Sequence, residues 1–206
     1  MPATAPPLPI YLALGDSYTI GERVAASERW PAVLVGRLRA VGVALDEPRI
    51  VAVTGWTTDE LAQGMEAAAL APSYDLVSLQ IGVNNQYRGR SSEDYRQQFA
   101  SLLARAIALA GGRPGRVVVV SIPDWGVTRF AREQGRDPAR IAAELDAYNA
   151  IALAQSLRDG ARFVDVTGIS RQHPDALADD GLHPSGAQYA WWAERIEPVV
   201  REALGH

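Results

Sequence analysis

The chain has 206 residues, 48% of them hydrophobic and 21% charged, with a formal net charge of −4. That balance suits one soluble globular domain over residues 1–206 and argues against a nucleic-acid partner, which needs clustered positive charge. There is no cysteine and all twenty basic residues are arginine, which excludes thiol nucleophiles, thiolate metal sites, disulfides, Schiff-base lysines, a serine–lysine dyad and a P-loop lysine.

Residues 1–9 are proline-rich and read as a flexible segment without the charged flank or apolar run of a signal peptide. No later run reaches membrane-spanning length, so a cytoplasmic protein without membrane insertion is expected. Five short apolar runs follow: Ile10 to Leu14, Ile50 to Val53, Leu76 to Ile81, Val117 to Ile122 and Phe163 to Val166. Continuous runs of this kind suit strands buried on both faces of a parallel sheet.

Helical patterns separate the runs. Pro31 opens the first, which ends near Gly42. Thr57 and Glu60 form a capping box ahead of Leu61, Met65 and Ala68, and Pro72 closes that helix. Ser91 starts a third, whose Tyr95, Phe99, Leu102, Leu103, Ala106 and Ile107 make one apolar stripe before Gly111 and Gly112. Asp137-Pro138 opens the fourth, with Ile141, Leu145, Tyr148 and Ala152 inward and Gly160 past its end. The last runs from about Pro184 to Ala203, and packing on the sheet accounts for at least one of Trp191 and Trp192. Alternating strands and helices predict a three-layer α/β domain with a parallel sheet. The segment Pro123 to Arg136 lacks clear periodicity, follows the fourth strand and is expected at the carboxyl edge, where such sheets bind ligands.

Candidate chemistry lies at the two ends of the chain. Ser17, in Gly15-Asp16-Ser17, follows the first run, although this tripeptide is also an ordinary turn. His183, in Asp180-Gly181-Leu182-His183-Pro184, is held outside the last helix by the proline that follows it. Asp180 is placed to accept the Nδ1 proton while Nε2 faces Ser17, as nucleophilic acyl transfer requires. Asp179 is the competing carboxylate. His173 also precedes a proline, but Ser170 stands three residues before it instead of an acid, so His173 and His206 read as solvated or structural. Two further donors fit a developing oxyanion: the backbone N–H of Gly55, after the second run, and the side-chain amide of Asn84, in Gly82-Val83-Asn84-Asn85. With the Ser17 N–H they would converge from three strand ends. Trp56, Tyr87, Trp125 and Phe130 are candidate walls of an apolar acyl or aryl pocket.

These four ordered motifs, Gly-Asp-Ser-Tyr at Ser17, Thr-Gly-Trp-Thr-Thr at Gly55, Gly-Val-Asn-Asn at Asn84 and Asp-Gly-Leu-His-Pro at His183, resemble those of the SGNH hydrolase, or GDSL esterase/lipase, family. The resemblance spans nearly the whole chain. It implies a flavodoxin-like five-stranded sheet, a Ser17–His183–Asp180 triad and an oxyanion hole from Ser17, Gly55 and Asn84. The family holds esterases, lysophospholipases, thioesterases, arylesterases and carbohydrate deacetylases. One departure stands out: the third motif usually ends in Asp, and Asn85 takes its place.

The expected activity is therefore hydrolysis of a small carboxylic ester through an acyl-enzyme, without metal or organic cofactor. An acyltransferase using the same triad and a binding or scaffold protein that has lost activity are the alternatives.

Overall fold

The computed structural model describes residues 7–206; of the segment expected to be flexible, residues 1–6 lie outside this range. The five strands are β1 (Tyr11–Gly15), β2 (Arg49–Ala52), β3 (Leu76–Gln80), β4 (Val117–Val120) and β5 (Arg162–Val164). They form one sheet in the order β2-β1-β3-β4-β5, parallel throughout. β1, β3 and β4 are buried along their whole length, which is why β1 and β4 read as unbroken apolar runs, whereas β3 buries the polar Ser78 and Gln80 among its apolar residues.

The helices are α1 (Ser17–Ile20), α2 (Trp30–Ala40), α3 (Thr58–Ala67), α4 (Val83–Tyr87), α5 (Ser92–Leu109), α6 (Arg129–Glu133), α7 (Pro138–Asp159), α8 (Thr167–Gln172) and α9 (Gly186–Leu204). α2 packs on α9, while α5 packs between α3 and α7 in the other layer. Capping groups decide where the long helices begin. Ser91 accepts the Asp94 N–H, Asp137 accepts those of Ala139 and Arg140, and Ser185 accepts that of Gln188. At α3, Glu60 accepts the Thr57 N–H at 2.8 Å, one half of the capping box. The Thr57 hydroxyl departs from that pattern and donates to the Asp59 and Glu60 carboxylates.

The chain winds from β1 to β2 on one side and then returns to β3 on the other. The strand order therefore reverses at β1, and the crevice beyond the carboxyl ends of β1 and β3 is the place where such a sheet opens for a ligand. Ser17 and Asn84 lie in the short helices α1 and α4 that come next after those two strands. The segment Pro123 to Arg136 contains a 3₁₀ turn at Trp125–Val127 and the short helix α6. Both are too brief to leave a periodic pattern.

Candidate active site

Ser17 is the first residue of α1, two positions beyond the end of β1. Asp16 caps this short helix by accepting the Tyr18 N–H at 3.1 Å. Gly15 is required by close approach: a Cβ there would lie 2.6 Å from the Gln80 carbonyl oxygen. Ser17 is only 5% exposed, and among the described residues its hydroxyl makes no hydrogen bond. As a first-turn residue it also leaves its backbone N–H outside the helical pairing. Burial pushes the Asp16 carboxyl up to about 7, so next to the serine stands an acid whose charged form burial disfavours.

His183 lies in a tight return of the chain between α8 and α9. Leu177 and Pro184 form an antiparallel bridge, and Ala178 donates its N–H to the His183 carbonyl at 2.8 Å. At the tip, Gly181 turns with φ +69°. Asp180 uses both carboxylate oxygens here. Oδ1 accepts the backbone N–H groups of Leu182 and His183 at 2.9 and 3.0 Å, while Oδ2 takes the His183 Nδ1 contact at 2.6 Å. Partial burial opposes the charge on Asp180, yet the hydrogen bonds from the His183 ring and the two backbone groups hold its carboxyl below the usual range. The group that fixes the imidazole thus also builds the turn that carries it. Asp179 is exposed, and its contact to this region is a backbone carbonyl that accepts from Arg129 at 2.8 Å. Arg23, with a left-handed φ of +67°, brings its Nε to 3.9 Å from Asp180 Oδ2.

Ser17, Asn84 and His183 line one cavity of about 220 Å³, whose other walls are Tyr18, Val83, Tyr87, Trp125, Phe130 and Leu182. Three of the four aromatic candidates, Tyr87, Trp125 and Phe130, are in this wall. Trp56 is not. Its ring lies over Gly64 of α3, where a Cβ would collide with the indole, so the missing side chain one turn and a half into α3 draws the tryptophan away from the cavity. Tyr18, Val83 and Leu182 are walls that the sequence did not single out, although each is the immediate neighbour of a motif residue. Tyr18 meets the His183 ring edge-on, with centroids 5.9 Å apart.

The β2 loop is tied to α4. Asn84 Nδ2 donates to the Trp56 carbonyl at 2.9 Å, and Arg88 donates to the Gly55 carbonyl at 2.7 Å. Gly55 has φ +88°, and a Cβ there would make only ordinary contact with the Arg88 guanidinium at 3.9 Å, so backbone conformation, not crowding, calls for glycine. Its N–H has no acceptor among the described residues. Asn85 is fully buried. Its Oδ1 accepts the Thr58 N–H at 3.0 Å and its Nδ2 donates to Thr58 Oγ1 at 2.7 Å, while that hydroxyl in turn donates to Gln98. The amide satisfies the start of α3 with no charge to bury.

A five-stranded parallel sheet with helices on both faces and a serine- and histidine-lined cavity at its carboxyl edge is the α/β/α architecture of SGNH hydrolases. Residues 13–191 match the GDSL-like lipase/acylhydrolase family, and the chain belongs to it. It is thereby a hydrolase of the ester-cleaving kind. No curated protein matches the chain in sequence. Among solved structures it is similar to TesA (20% identity, TM-score 0.74, 95% of this chain and 99% of that one). It is also similar to a lipase/acylhydrolase from Enterococcus faecalis (19%, TM-score 0.72, 96% of each chain). A third relative in structure is an acetyl xylan esterase from Geobacillus stearothermophilus (22%, TM-score 0.72, 93% of this chain and 94% of that one). At these identities the likeness is one of fold. Among the described residues no helix is long and apolar enough to cross a membrane.

Proposed function

We propose that this protein is a serine esterase that hydrolyses small carboxylic esters through a Ser17–His183–Asp180 triad and an acyl-enzyme. The observation that carries the reading is the Asp180 carboxylate holding His183 Nδ1 at 2.6 Å while the ring and Ser17 share one small cavity. With Nδ1–H committed to Asp180, Nε2 is the basic nitrogen. Ser17 Oγ attacks the ester carbonyl as His183 Nε2 takes its proton, and Asp180 stabilises the imidazolium. His183 then protonates the departing alcohol, and water repeats the sequence on the acyl-enzyme.

Three donors are free for the oxyanion: the N–H groups of Ser17 and Gly55 and the second N–H of the Asn84 amide, whose first is taken by Trp56. The Trp56 carbonyl and Arg88 keep the two loops in register. A cavity of about 220 Å³ is below the usual range of roughly 300–1,000 Å³ for drug-sized ligands, which favours short acyl or aryl groups over long chains. The acetyl xylan esterase among the similar structures acts on such a short acyl group.

The test is turnover of p-nitrophenyl esters of increasing acyl length by wild type and Ser17→Ala. Activity highest on the shortest esters and reduced on the order of a million-fold by the substitution supports the reading. A Ser17→Ala enzyme that keeps most of its activity ends it.

A further inference from the structure

Beside the catalytic cavity lies a larger, polar cleft of about 510 Å³, and Tyr87 lines both. The cleft carries three arginines, Arg90, Arg136 and Arg140, which differ in how they are paired. Arg90 meets Asp59 at 2.5 Å, and Arg140 meets Glu144 at 2.8 Å. Glu144 accepts Arg140 at Oε1 and the Gln86 amide at Oε2, the latter at 2.7 Å, and the nearby Arg136 charge also helps hold its carboxyl below the usual range. Gln86 in turn accepts the Trp125 indole N–H at 2.8 Å, so this chain of contacts fixes the aromatic wall of the catalytic cavity from behind.

Arg136 is the odd one out. Around the two cavities, Arg23, Arg88, Arg129 and Arg132 each have a carboxylate within 4 Å, as Arg90 and Arg140 do. Among the described residues Arg136 has none. Its guanidinium instead sits 5.4 Å from the centroids of both the Tyr87 and the Trp125 rings. Ring faces steady a planar cation but accept none of its N–H groups. The result is a guanidinium with no hydrogen bond to protein among the described residues, lying against the Tyr87 and Trp125 rings that line the catalytic cavity, at the point where Tyr87 joins that cavity to the cleft. A fork of this geometry matches paired oxygens of an anion.

We infer that Arg136 is a specificity residue for esters whose distal limb ends in an anionic oxygen group, a carboxylate or a phosphate, with the ester in the small cavity and the charged end in the polar cleft. The inference rests on the esterase reading above and names its substrate class. Asp137 and Glu144 also face the cleft. Both carboxylates lie near Arg136, whose charge acts on Glu144, and their repulsion limits the preference to a single anionic group.

The experiment compares kcat/KM for three short p-nitrophenyl esters of matched length, with the acyl limb ending in a carboxylate, in a phosphate or in a neutral methyl ester. Wild type should favour one or both anionic esters over the neutral one, and the preference should shrink as ionic strength rises. Arg136→Gln should lower the anionic-to-neutral ratio about 10- to 100-fold, as expected for one charge-assisted contact, mainly through KM, and Arg136→Lys should restore part of it. Which anionic ester leads tells carboxylate from phosphate. A wild-type ratio of one or below, or a ratio that Arg136→Gln leaves unaltered, overturns the inference while leaving the esterase reading intact. Failure to hydrolyse any of the three esters would count against the esterase reading itself.

Discussion

Two histidine corners flank the start of α9, and they differ in one respect that matters. His173 and His183 each precede a proline, and each is thereby kept out of the helical conformation. Three residues before His183 stands Asp180, whose carboxylate closes the turn and grips the ring. Three residues before His173 stands Ser170, whose hydroxyl donates to the Thr167 carbonyl and accepts the Asp124 N–H. It holds the neighbouring loop and leaves the ring alone. The His173 ring accordingly lies against Trp191, 36% exposed, with centroids 4.2 Å apart. A proline keeps each histidine out of the helix, but only a carboxylate in the same turn fixes the orientation of the ring.

The sharpest way to break this comparison is to remove each ring. His183→Ala should lose on the order of a million-fold in kcat, whereas His173→Ala should stay within about twofold of wild type on the same ester. Equal losses would mean that the corners do not differ as described. The next contrast lies within one corner: Asp180→Asn should cost about 10⁴-fold because the imidazole tautomer is no longer fixed, and Asp179→Asn should be nearly silent, since that side chain is exposed.

A smaller effect is expected at Asn85. An aspartate there would need the proton of the Thr58 hydroxyl, which is now given to Gln98. Asn85→Asp should therefore change turnover by less than about tenfold, the size of one rearranged hydrogen bond. A large gain would show that the present oxyanion loop is impaired.

The mildest contrast concerns stability at the serine end. Burial raises the folded-state value of Asp16 to about 7, above its unfolded value of about 3.9. Folding then favours the protonated acid, so this contribution is complete below the unfolded value and is lost as pH rises through about 7. Asp16→Asn keeps an oxygen to cap Tyr18 and carries no charge. Thermal melts of the two proteins should diverge between pH 4 and 7, with the variant gaining relative to wild type. Parallel curves would contradict the assignment.

Much of this was legible in the amino-acid order. The strands could be read because burial on both faces leaves unbroken apolar runs such as Val117 to Val120, and the long helices because Ser91, Asp137 and Gly160 punctuate them. The short helices α1, α4, α6 and α8 span four to six residues, less than two turns, and so present no period. The turn that brings Asp180 to His183 is local and visible in five consecutive residues. What could not be read is set by partners distant in sequence: the draw of Gly64 on Trp56, the Thr58–Gln98 partnership of Asn85, and the Arg136 guanidinium over Tyr87 and Trp125. Trp192 is fully buried while its neighbour Trp191 is half-exposed, a split that follows from their hundred-degree separation around α9.

The most direct test of the central claim, that Ser17 is activated by the Asp180-anchored imidazole, is the rate of covalent labelling by a fluorophosphonate followed by peptide mapping. The account predicts one adduct, on Ser17, formed rapidly in wild type, abolished by Ser17→Ala and slowed by orders of magnitude in His183→Ala. Folded wild-type protein that does not react, or a Ser17→Ala protein that still does, would contradict it.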